Sequence, residues 1–182
     1  MRVLTPDTTI LGLLARKTQH GYQLLEAFHD PQRLGSVWKL STSQLYAVLK
    51  RLERQGWISG CEQESENAPP RVEYSLTPQG QSKLHHWLND PAPSASIRHI
   101  RVEFLSRLFV AQSLRYSAQS IIDHQRAVCL AEYLRLKNAQ EGSPSRFSAL
   151  AAKMVLAQLE AVLDWIDHCE RMIADPMTEE HY

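Results

Sequence analysis

Cysteine is scarce: the 182-residue chain has three, Cys61, Cys129 and Cys169, and no two form a CxxC pair. That excludes a disulfide framework and a cysteine-based zinc site, and it suits a reducing cytoplasm. No apolar run approaches the roughly 18 residues that a bilayer span needs, so no membrane partner is expected. Asp7 interrupts the apolar core that a secretory leader would require, which again points to the cytoplasm. Neither sign of charge is in excess, because 20 Lys and Arg balance 20 Asp and Glu. A polycation that coats nucleic acid regardless of sequence is excluded; a site that concentrates charge locally is not. The motifs GxSxG, the P-loop, HExxH and GxGxxG are all missing, so neither an enzyme nor a cofactor is expected. Of the eight histidines, His85 and His86 are adjacent and point apart on a helix, and no pair has HxxxH spacing, so no metal is expected.

What is present is an ordinary folding chain, 43% hydrophobic and 22% charged. Composition breaks at Asn89-Asp90-Pro91-Ala92-Pro93-Ser94-Ala95-Ser96, which reads as a linker. The expected domains are therefore 1–88 and 97–182, joined by 89–96. In the first, Thr5 can cap a helix with Pro6 at its first position and Asp7 in its first turn. Ile10, Leu11, Leu13 and Leu14 give that helix its apolar face. A polar break at 16–19 precedes a second helix starting near His20-Gly21, with Tyr22, Leu24, Leu25 and Phe28 at helical spacing. Trp57 to Gln63 and Arg71 to Leu76 alternate like paired strands around a loop at 65–70. Thr77-Pro78 opens a fourth helix carrying Leu84, Trp87 and Leu88.

The third helix is the most informative element. Ser41 and Gln44 form an S-x-x-Q capping box, and Gly56 suits the left-handed stop. Leu45, Val48, Leu49 and Leu52 share one face. The opposite face carries Ser43, Ala47, Lys50 and Arg54, flanked by Tyr46 and Arg51. It is small near the helix start and cationic near its end. Helix, helix, capped helix, hairpin, helix is the order of a winged helix-turn-helix, whose recognition helix enters the DNA major groove by its N-terminal part. Small residues there let the helix approach, while cations near its end meet phosphate.

The chain also resembles the PadR family of bacterial transcriptional regulators, specifically its shorter-winged members with a helical dimerisation region. The resemblance rests on Ile10-Leu11-Gly12-Leu13-Leu14, His20-Gly21-Tyr22, Trp38, Ser43-x-Leu45-Tyr46-x-x-Leu49-Lys50-Arg51-Leu52-Glu53, Gly56-Trp57-Ile58 and Arg71-x-x-Tyr74-Ser75-Leu76-Thr77-x-x-Gly80. Together the motif and the resemblance nominate Lys39, Ser41, Thr42, Ser43, Gln44, Tyr46, Lys50, Arg51, Arg54 and Arg71 as contacts to double-stranded DNA. Two positions differ from the family pattern. Ala47 stands where a proline is usual, which favours the helix. Val72 stands where a second wing cation is usual, so wing contacts are expected to be weak. Trp38 is read as a plug bracing the third helix.

The second half is expected to be helical over 97–116, 118–140 and 146–174. The last helix carries two apolar stripes where a surface helix needs one, which implies two packing partners and hence a symmetric homodimer on a two-fold operator. Leu150, Met154, Val155, Leu159, Val162, Trp165, Ile166 and Ile173 are the candidate interface residues. Trp165 is read as interface core, with an effector cavity as the alternative. The fold class expected is mainly α, a winged helix-turn-helix followed by helices. The function expected is a sequence-specific DNA-binding regulator, a repressor, which the resemblance implies a small-molecule effector releases. The competing reading is a winged-helix interaction module that no longer binds DNA, kept open by Glu62, Glu64 and Glu66 on the wing.

Overall fold

The computed structural model describes residues 4–65, 68–139 and 145–174. Its elements run α1 (Asp7–Arg16), β1 (Gln19–His20), α2 (Gly21–His29), α3 (Thr42–Arg54), β2 (Ile58–Ser65), β3 (Ala68–Leu76), α4 (Pro78–Leu88), α5 (Ile97–His99), a π-helical turn (Ile100–Phe104), α6 (Leu105–Ser113), α7 (Gln119–Ala139) and α8 (Arg146–Ala174). This is the expected winged helix-turn-helix followed by helices. Packing divides the chain into one unit of residues 1–89 with 101–117 and another of 90–100 with 118–182. That cut differs from the compositional one, because α6 packs on α1 rather than with the later helices. Trp38 Nε1 donates to Ser106 Oγ at 2.9 Å, and Val110 lies where any side chain on Gly12 would sit.

In the first unit, α1 begins at Asp7, one residue later than the sequence suggested, and Thr5 makes no cap bond. Ile10, Leu11, Leu24, Phe28, Leu34, Leu45, Leu49, Leu52 and Ile58 are almost fully buried and form the core. Each large apolar side chain contributes about 1.5–3 kcal/mol on burial. The sheet has the order β1-β3-β2, all antiparallel. β2 pairs with β3 from Ile58↔Leu76 to Ser65↔Ala68, so the hairpin runs further than expected and takes in much of the predicted loop. Glu66 lies outside the described residues. The short β1, paired through Gln19↔Tyr74 and His20↔Glu73, replaces the expected polar break. It forms because Gln19 is buried and its Nε2 donates to the Leu13 carbonyl at 2.8 Å, which leaves no unsatisfied amide.

The predicted continuous helix over 97–116 is interrupted by the π-helical turn and ends at Ser113, with Leu114 as its cap and Arg115 at φ 53°. Arg107 of α6 is 1% exposed. It pairs with Glu103 at 2.9 Å and lies over the Trp87 ring, so its charge is compensated rather than solvated.

In the second unit, α7 and α8 run antiparallel, as Gln119–Glu170, Arg126–Asp167 and Tyr133–Glu160 hydrogen bonds record. Ile121, Ile122 and Cys129 of α7 and Leu156, Leu159 and Ile166 of α8 are buried. The predicted linker joins this unit: Gln125 Nε2 donates to the Ser94 carbonyl at 3.0 Å. Arg126 reaches Asp123, Asp167 and Glu170 at once. Hydrogen bonds from Gln119 and Arg126 hold the Glu170 carboxyl below its usual range. The tie is therefore fully present above the ordinary carboxylate pKa and is lost as pH falls through the lowered one. Among the described residues no helix is long and apolar enough to cross a membrane.

Candidate nucleic-acid interface

The capping box forms as the sequence requires. Ser41 Oγ accepts from Gln44 N at 3.3 Å, and Gln44 Oε1 accepts from Ser41 N at 2.9 Å. The helix stops at Gly56, whose φ of +70° only glycine adopts without strain. Between these ends α3 buries Leu45, Val48, Leu49 and Leu52. Ser43, Ala47, Lys50 and Arg54 are exposed on the other side, and Tyr46 is half exposed on one flank. Lys39, Ser41, Thr42 and Gln44 are exposed around the helix start. Lys50 and Arg54 are therefore open to solvent at the cationic end, and the small end is unobstructed.

Several contacts fix this helix against its neighbours. His29 Nε2 lies 3.0 Å from the Leu40 carbonyl and holds the turn between α2 and α3. Trp38 packs edge-on against Phe28 beneath that turn, in keeping with a bracing role. At the other end, Glu53 Oε1 accepts from Gly60 N at 3.0 Å, which ties α3 to strand β2. Thr77 Oγ1 donates to the Gly56 carbonyl at 2.6 Å and accepts from Gly80 N at 3.0 Å, capping α4 as predicted. Gly80 has no room for a side chain, since a Cβ there would lie 2.0 Å from the Trp57 carbonyl oxygen. Burial, aided by the Glu53 carboxylate, pushes the Tyr74 phenol above its usual range, so it stays protonated at the base of the wing.

Two nominated residues need particular comment. Arg71 is exposed on β3, one strand from α3, as expected of a wing cation. Arg51 is not a free cation: it forms a two-point ion pair with Asp7 of α1, including Nε to Oδ2 at 3.3 Å. No local pattern could have shown this, because the partners lie 44 residues apart. Asp7 looked like a helix-dipole residue and is also a tether for α3.

On α8 the two predicted stripes separate by burial. Leu159 and Ile166 are completely enclosed by their own chain and belong to the unit's core. Val162 and Trp165 are half-buried. Leu150, Met154, Val155 and Ile173 are exposed, and so are Phe147 and Met172. Phe147, Leu150, Met154, Ala157, Ala161 and Trp165 recur every three or four residues along one face. Leu130 and Leu134 of α7 are likewise apolar and exposed.

Residues 10–86 match the family described as the transcriptional regulator PadR-like family. A protein of Bacillus subtilis (strain 168) described as negative transcriptional regulator PadR is 27% identical over 187 residues, spanning 95% of this chain and 98% of that protein. The crystal structure of Bacillus subtilis PadR in complex with operator DNA aligns with a TM-score of 0.48 and 23% identity over 94% of this chain and 99% of that one. Its complex with p-coumaric acid aligns with a TM-score of 0.40 and 24% identity over 93% and 96%.

Proposed function

We propose that the chain, whose residues 10–86 match the PadR-like family of transcriptional regulators, is a homodimeric repressor that binds a two-fold site in double-stranded DNA. The exposed face of α3 carries the proposal. It is capped at its start, small where a helix must enter a groove, cationic where it leaves, and held by a wing. In this reading residues 1–88 bind DNA, 89–96 connect, and 97–182 form the dimerisation region. Ser43 and Gln44 lie over base edges, with Lys39, Tyr46, Lys50, Arg54 and Arg71 on phosphates. Ser41 and Thr42 sit at the groove-entering start. The relative described as a negative regulator supports repression. Release by a small-molecule effector follows from the family, with Trp165 at the edge of the exposed stripe as the residue to probe. The protein works in the cytoplasm and catalyses no reaction.

The testing experiment is fluorescence anisotropy with the DNA upstream of the chain's own gene, titrated with salt and a scrambled competitor. Binding should resist competitor and weaken as salt rises. Complete displacement by scrambled DNA at every fragment tried would overturn sequence specificity. Lys50→Ala should weaken operator and scrambled DNA alike and reduce the salt slope by about 1. Asp7→Asn should do the reverse. Freed from its carboxylate, Arg51 becomes available to phosphate, so affinity for any duplex should rise roughly twofold to fivefold with a steeper salt slope. The same substitution should lower the melting temperature, because α3 loses its tether to α1. An unchanged salt slope would show that Arg51 faces no phosphate even when released.

A further inference from the structure

Tyr22 shares its helical spacing with Leu24, Leu25 and Phe28, yet the structure leaves it 67% exposed on the first turn of α2. It borders an open cleft of about 780 Å³ shared by the start of α2, the flank of α3 and strand β3. Tyr46, Arg71 and His20 also line it. The cleft is held in shape from two sides. His20 Nδ1 lies 3.2 Å from the Val72 carbonyl, and His20 pairs with Glu73 in the sheet, so the start of α2 is fixed to the wing strand. Gly21 is fully buried beneath Tyr46, where a Cβ would come within 2.9 Å of the Tyr46 hydroxyl. The missing side chain lets Tyr46 lie against α2.

The chemistry of the cleft is one-sided. Two exposed phenol hydroxyls and a guanidinium can donate hydrogen bonds around one opening. A phosphodiester offers acceptor oxygens and a negative charge, which suits such a set. Glu26, one turn further along α2, is the one carboxylate among the described lining residues and repels phosphate from that end. The cleft adjoins the exposed face of α3, where the strand flanking an occupied groove must pass.

We propose that Tyr22 is a DNA-positioning residue that, with Tyr46 and Arg71, grips one backbone phosphate beside the groove entered by α3. This rests on the DNA-binding reading above and adds a third element, α2, to the interface.

The test is a double-mutant cycle by anisotropy on the upstream duplex and its scrambled counterpart. Tyr22→Phe keeps the ring and removes only the hydroxyl, so melting should be unchanged. Its affinity should fall about tenfold on both duplexes, the scale of one hydrogen bond to a charged group. The salt slope should stay the same, because no cation is lost. Arg71→Ala should lower affinity and flatten the slope by about 1. In the Arg71→Ala background, Tyr22→Phe should cost much less, since the phosphate is no longer held in place. Glu26→Gln should tighten both duplexes modestly. Wild-type affinity for Tyr22→Phe, or full additivity with Arg71→Ala, would overturn the clasp while leaving DNA binding by α3 intact. Failure of the unmodified protein to bind either duplex would overturn both readings together.

Discussion

Ser43→Trp should abolish sequence-specific DNA binding and leave the fold intact. Ser43 is exposed near the start of α3, and its hydroxyl lies 3.1 Å from Ser41 Oγ. The capping box runs through Ser41 and Gln44 and survives its loss. Nothing in the core senses the substitution, so the melting temperature should move by no more than a few degrees. The effect on recognition is of another order. A helix with its side chains is about 10–12 Å across, and the major groove is about 12 Å wide. An indole on the leading face holds the helix off the bases and cancels every contact made at depth. Affinity for the operator should drop at least a hundredfold, to the level of scrambled DNA, which typically lies orders of magnitude weaker. Residual binding should keep the full salt slope, because Lys50 and Arg54 still reach phosphate. Operator affinity equal to that of the unsubstituted protein would refute entry of α3 by this face.

The second large effect separates the two stripes of α8. Leu159→Asp places an unpaired carboxylate where the leucine is completely enclosed. The lost packing alone costs about 3–5 kcal/mol, and the buried charge adds to it. The second unit should lose its cooperative unfolding transition. Leu150→Glu combined with Met154→Glu should behave differently, since these side chains are 66% and 64% exposed in the chain. The helix keeps its core contacts and its helical content by circular dichroism. The pair should convert a dimer to a monomer in sedimentation analysis. Operator affinity should fall by about a hundredfold or more, because the second half-site is no longer tethered. A dimer of unchanged mass would move the interface off this stripe.

These contrasts show what the sequence displays and what it hides. The bounds of α3, its capping box and the left-handed Gly56 are written within a few neighbouring residues, and so are Thr77-Pro78 and the span of α8. Local patterns carry them because caps and periodicity act over one or two helical turns. Three other features depend on residues far apart in the chain. β1 exists because Gln19 and His20 meet Tyr74 and Glu73 across more than fifty residues. Arg51 is occupied because Asp7 reaches it from another helix. Tyr22 is exposed because α2 turns only part of its apolar pattern inward, and the core ends at Leu24 and Leu25. The periodicity of α8 revealed two stripes but not which one faced α7; burial decides that in favour of Leu156, Leu159 and Ile166.

The π-helical turn at Ile100–Phe104 has a consequence for insertions and deletions. Such a turn holds one residue more than α-helical winding would need. Removing a single residue there would let the chain wind as an ordinary helix while the later side chains keep their phase. Winding all the residues as an ordinary helix without that removal would instead rotate every later side chain by about 100° about the helix axis. Ser106 would then turn away from Trp38, and Arg107 would leave Glu103 and the Trp87 ring. The wide turn therefore sets the phase of α6. An alignment with a relative that lacks it needs a one-residue gap inside a helix, where gaps are ordinarily disfavoured.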